Sequence, residues 1–130
     1  MLNENCINDI MLYLESNLTR KPSGKFRGIK SKIIMENLPN EYSLDDFYTS
    51  LSYLVEIKLL TRTNPQHTDA SVRAYKINGI TAKGQDYLNL IHDDTQFHKV
   101  RKSFTFEKIM QAFSTGVSIL ELLHQSNQST

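Results

Sequence analysis

Six basic side chains, Arg20, Lys21, Lys25, Arg27, Lys30 and Lys32, fall within thirteen residues, and no acid stands between Arg20 and Met35. Lysine and arginine on flexible stems neutralise phosphates and release counterions along a duplex, so this run is the clearest candidate for chemistry in the chain. The plainer alternative is a solvated loop. Composition does not choose between them. Fifteen Lys and Arg against fourteen Asp and Glu leave a formal charge of +1, so any attraction to a polyanion must come from where the charges sit.

Other residue types that do chemistry lack the spacing for it. His67, His92, His98 and His124 have no partner at i, i+4 and no Cys-x-x-Cys, so no metal site is expected and no cofactor is implied. Asp93 and Asp94 are adjacent, and adjacent helical residues point different ways. A helix-start cap explains them more simply than an acid/base pair. No phosphate-cradling glycine motif occurs. Catalysis is therefore not expected. Cys6 stands alone and beside an apolar stripe, which fits a packed thiol, and a single cysteine without a disulfide partner fits a reducing interior. Glu4, Asp9 and Glu15 break any signal-peptide core and no eighteen apolar residues run together, so a cytoplasmic protein is expected.

At 130 residues and 15.0 kDa the chain suits one compact domain. Ile7, Ile10, Met11, Leu14 and Leu18 repeat at helical spacing and predict a helix over about 3–17. Residues 19–28, with two Gly and a Pro, read as the basic loop. The stretch 29–38 suits either a short β-branched strand or two turns of helix ending before Pro39. Ser43, with Asp46 three residues on, predicts a helix start. Its inner face would hold Leu44, Phe47, Leu51, Leu54, Val55 and Lys58, with Asp45, Asp46, Thr49, Ser52, Tyr53 and Glu56 outward or flanking. Runs at 59–63 and 72–77 read as a hairpin around the polar tip Asn64-Pro-Gln-His-Thr-Asp-Ala-Ser71. Thr81 can cap a further helix, with Gly84 permitting close backbone approach, and Asp93 to Thr95 offer a point where that helix continues or restarts. Lys99, Arg101 and Lys102 form a second basic cluster, which a helix C-terminus by itself accounts for.

A final helix is predicted over 105–124, with Phe106, Ile109, Met110, Phe113, Val117 and Leu120 on one stripe and Ile119, Leu122 and Leu123 beside it. So wide an apolar arc predicts burial against a second copy. The expected dimer interface is thus Phe113, Val117, Ile119, Leu120, Leu122 and Leu123. The tail from 125 is polar.

This order of elements resembles a winged helix-turn-helix domain with added C-terminal helices: an α+β, mainly helical fold with a two-stranded wing. Residues 1–103 would form that domain and 104–130 the dimerisation helix and tail. The run Leu51-Ser-Tyr-Leu-Val-Glu-Ile-Lys-Leu-Leu60 resembles a winged-helix helix turning sharply into the first wing strand. The run Ile80-Thr-Ala-Lys-Gly-Gln-Asp-Tyr-Leu88 resembles the helix start after the wing. From Ile80 to Val100, with Asp93, Asp94, Thr95 and Phe97, the chain is similar to the uncharacterised family numbered 2513 among domains of unknown function, common in Gram-positive bacteria and their phages. Ala82, where that family often has an aromatic residue, and Ile57-Lys58, in place of a small-residue turn, depart from its pattern.

The resemblance implies a fold and no reaction. In a winged helix, the helix from Ser43 enters the major groove and the hairpin tip reaches the adjacent backbone or minor groove. Thr49, Ser52 and Tyr53 on the helix, and Arg62, Gln66, His67 and Arg73 on the wing, would then join Lys25, Arg27, Lys30 and Lys32 in binding double-stranded DNA. The expected function is transcription regulation by a non-enzymatic homodimer. Asp45, Asp46 and Glu56 oppose this, because base readout favours Arg, Lys, Asn and Gln. They favour the alternative, a protein-interaction module of phage or mobile-element origin that keeps the fold without DNA binding.

Overall fold

The computed structural model describes residues 2–18, 28–63, 72–117 and 121–124. Each long helix opens on a side-chain cap. In α1 (Glu4–Asn17), Asn3 Oδ1 accepts from the Cys6 N–H at 3.0 Å, and Cys6, Ile7, Ile10, Met11 and Leu14 are buried. In α3 (Leu44–Glu56), Ser43 Oγ accepts from the Asp46 N–H at 3.0 Å. Such caps satisfy amide donors left over at a helix start, and each contributes about 1 kcal/mol.

The choice left open at 29–38 resolves into both alternatives in sequence. Ile29–Lys30 is strand β1, and Ser31–Glu36 is helix α2. Ser31 decides the boundary. It is buried, its N–H donates to Tyr75 O at 2.9 Å, and its Oγ donates to Arg73 O at 2.9 Å. The chain is pinned to the hairpin up to that residue and coils only after it.

Strands β2 (Leu60–Arg62) and β3 (Lys76–Ile80) join β1 in an antiparallel sheet of order β1-β3-β2. The described sheet therefore has three strands where two are expected. The expected strand over 72–77 also shifts: Val72–Ala74 is a 3-10 turn and pairing begins at Lys76. Carbonyls at Arg73 and Tyr75 are already engaged by Ser31, which leaves that stretch holding α2 instead of pairing with β2.

Helix α4 (Ala82–His92) is capped by Thr81, and α5 (Asp94–Ser103) restarts on Asp93, whose carboxylate accepts from the Gln96 N–H at 3.0 Å. Gly84 packs against backbone: a Cβ there would lie 2.2 Å from Leu59 O. Thr105 caps α6 (Phe106–Ser114).

The single helix predicted over 105–124 does not form. Gly116 adopts φ +84, its N–H donates to Phe113 O, and the Val117 N–H reaches back to Ala112 O at 2.9 Å. This is a Schellman stop, which an αL glycine makes at little steric cost. Residues 121–124 are helical again. The α3 face also differs from expectation. Leu44 is 51% exposed and Lys58 lies exposed past the helix end, while Ser50 is buried.

The core collects the inner faces of α1, α3, α4 and α6 over Leu59 and, in the sheet, Leu60 and Ile77. Tyr87 and Phe113 meet edge to face at 5.5 Å within it. None of the described helices is long and apolar enough to cross a membrane.

Candidate nucleic-acid interface

The basic residues reach the surface through the sheet and the hairpin base. Lys30 on β1 is the direct cross-strand partner of Lys76 on β3, and both are exposed. Lys32, on the outer face of α2, stands 4.0 Å from Glu36 in an exposed i, i+4 pair, a contact that contributes little.

Two arginines are held over tyrosine rings. The Arg62 guanidinium on β2 sits 4.6 Å from the Tyr75 ring centre, and Arg73 sits 5.3 Å from that of Tyr48 on α3. Arg73 so ties the hairpin base to α3. Arg62 Nη1 is buried with no hydrogen-bond partner among the described residues. A cation over an aromatic face is attracted by the ring quadrupole, which holds an otherwise mobile side chain in one place.

On α3 the outward stripe runs Asp45, Tyr48, Thr49, Ser52, Glu56 at helical spacing. Thr49 is exposed and Ser52 half-buried. Tyr53 turns away from the stripe: it is half-buried, and desolvation first, then the Glu56 and Glu107 charges, push its phenol above the ordinary value. Asp46 leaves the stripe as well. Its carboxylate accepts from Asn3 Nδ2 at 3.3 Å, beside the N-terminus of α1.

Lys25, Arg27, Gln66 and His67 lie outside the described residues, as do Ile119 and Leu120. The expected dimer face is divided. Phe113 is 3% and Leu122 2% exposed, both within this chain's own core, while Val117 and Leu123 are half-buried against it. On both sides of residues 118–120, the described part of the apolar arc therefore packs on this chain's own core.

Three of the sites weighed in the sequence have structural roles. Cys6 is fully buried, and desolvation is the first cause raising its thiol. Arg101 of the second basic cluster pairs with Glu4 at 3.1 Å and donates to Phe104 O at 3.0 Å. His92 Nε2 lies 2.7 Å from Glu15 Oε1, joining α4 to α1. Among the described residues, no three His, Cys, Asp or Glu side chains are placed to hold a metal.

A family model described as a hypothetical protein (DUF2513) matches residues 1–109. The chain belongs to that family. The DUF2513 match runs from α1 into the first turn of α6, so it takes in the sheet, both Arg–Tyr contacts and the Lys30–Lys76 pair. No match was found among curated proteins or among solved structures. Sequence reasoning passed over Lys76, Tyr48 and Tyr75. The available signal was Arg73-Ala-Tyr-Lys76, an aromatic set between two cations, which only the fold of the hairpin turns into ring contacts.

Proposed function

We propose that this DUF2513 protein is a winged helix-turn-helix module that binds double-stranded DNA. The observation that carries the reading is Arg73 held over Tyr48, which fixes a hairpin cation beside the exposed face of α3. The order α1-β1-α2-α3-β2-β3 and its three-stranded antiparallel sheet are compatible with that architecture. On this reading the affinity comes from Lys25, Arg27, Lys30 and Lys32 together with Arg62 and Arg73 at the base of the wing, and from Gln66 and His67 at its tip. Thr49 and Ser52 would face base edges. Asp45 and Glu56, at the two ends of their stripe, keep the helix itself from contributing net attraction. Regulation of transcription is the corresponding role, without catalysis.

Fluorescence anisotropy of a labelled duplex against salt tests this. Binding should weaken steeply with salt, and replacing Lys25, Arg27 and Lys30 by Ala should flatten the logarithmic slope by about 2.7, about 0.9 for each lost phosphate contact. Negligible binding at about 50 mM salt with the basic run intact would overturn it.

The same Asp45 and Glu56 favour a second reading, a protein-interaction module using α3. A stable protein partner recovered by pull-down, lost on Asp45→Lys and indifferent to DNA, would support that reading instead.

A further inference from the structure

Beside the sheet lies an open recess of about 470 Å³, lined by Tyr13 and Asn17 of α1, Gly28, Ile29 and Lys30 entering β1, Ile33 of α2 and Lys76 of β3. Tyr13, Ile29 and Ile33 supply apolar lining, Asn17 an amide, and Lys30 and Lys76 the charged groups. Ile33, which is 44% exposed, contributes apolar surface to it.

The two lysines are the second observation. Lys30 and Lys76 are cross-strand partners, and like charges directly opposite each other destabilise an antiparallel pair. Neither is ion-paired among the described residues, and the sequence from Arg20 to Met35 supplies no carboxylate. The Lys76 stem is also guided: it crosses Gly28 so closely that a Cβ there would lie 2.7 Å from Lys76 Cγ and 3.1 Å from Cδ. A methyl at residue 28 would therefore displace that side chain from its present course along the recess.

A bare phosphate would neutralise the two ammonium groups but leave Ile29, Ile33 and the Tyr13 ring in water. A neutral apolar molecule would cover the apolar lining and leave the lysines repelling each other. An anion with an apolar body satisfies both, and sites of this size with an apolar lining and few polar groups suit small molecules. We propose that the recess binds a small amphipathic carboxylic acid, its carboxylate between Lys30 and Lys76 and its apolar part against Ile29, Ile33 and Tyr13. This ligand site does not depend on the DNA reading.

The test is a titration of isotope-labelled protein followed by amide chemical shifts, with phenylacetate, acetate and benzyl alcohol as probes. Phenylacetate should give saturable shifts at residues 28–33 and at Lys76, and acetate and benzyl alcohol should each bind about tenfold more weakly. Lys76→Gln should weaken phenylacetate about tenfold with the spectrum otherwise retained, and Lys76→Arg should restore it. Ile33→Ser should weaken phenylacetate several-fold and leave duplex binding unchanged, since it removes no cation. Equal binding of acetate and phenylacetate, shifts that do not saturate, or shifts scattered away from the recess would overturn the proposal. Loss of duplex binding in a protein that still takes phenylacetate would overturn the DNA reading alone.

Discussion

Gly84→Ala opposes two effects of known sign. In the first turn of α4, alanine is the better helix former, and propensity alone would stabilise by up to about 1 kcal/mol. The tertiary contact acts the other way. The new Cβ would stand 2.2 Å from Leu59 O, 2.8 Å from Ile80 Cγ2 and 3.2 Å from Leu59 C. A comfortable carbon-to-carbonyl contact is about 3.3 Å, so the start of α4 must retreat from β2 by roughly 1 Å. Thr81 marks what that retreat breaks. Its N–H donates to Leu59 O at 3.1 Å, and its Oγ1 donates to Lys58 O at 2.6 Å and lies 3.2 Å from Leu59 O. Losing these bonds costs about 0.5 to 1.5 kcal/mol apiece, and the overpacking adds about 1 to 3 kcal/mol. The net expectation is a destabilisation of about 2 to 4 kcal/mol, read in urea unfolding followed by circular dichroism with unchanged m, and a melting temperature lower by roughly 10 °C. A Gly84→Ala protein as stable as the parent, or more so, would show that α4 does not rest on the Leu59 carbonyl and would refute the packing argument.

Lys58 adopts φ +65, and Leu59 N–H to Leu54 O and Lys58 N–H to Val55 O complete a Schellman stop around it. Because an L side chain is strained there, Lys58→Gly should raise stability by about 0.5 to 1 kcal/mol, and a lowered urea midpoint would contradict this. Burial first, then the hydrogen bond to Asp9 at 2.5 Å, pushes the Tyr42 phenol up to about 12 from 10.0. A raised folded value means the contribution is complete below pH 10 and lost as pH rises toward 12, with Tyr87, also raised mainly by burial, adding to the fall. Tyr42→Phe should therefore make the alkaline decline in melting temperature shallower; an unchanged slope would exclude the Tyr42–Asp9 contact as its source.

Local signals located most of the helices because caps and apolar stripes are encoded by residues within one or two turns of each other. Asn3 was not recognised as the cap of α1, but Ser43, Thr81, Asp93 and Thr105 all stand where their sequence context places a helix start. Gly84 was legible for the same reason, as a missing side chain in a first turn. The departure at Ile57-Lys58 was visible too, although only the left-handed backbone at Lys58 shows how the chain turns without a glycine.

The sequence determined where α3, α4, α5 and α6 begin, that the chain has a basic stretch without acids, and that Cys6 stands beside an apolar stripe, since each depends on residue type and near-neighbour spacing. Tertiary structure decided what those features face. Ser31 found its partners forty-two residues away at Arg73 and so divided 29–36 into strand and helix. The turn at Gly116 ends α6, and Phe113 and Leu122 are both buried in one core, which a continuous periodic pattern does not disclose. The pairing of Lys30 with Lys76 and the seating of Arg73 on Tyr48 likewise join residues far apart in the chain. Periodicity reports which face a residue shares with its neighbours along one element; it carries no information about which other element closes over that face.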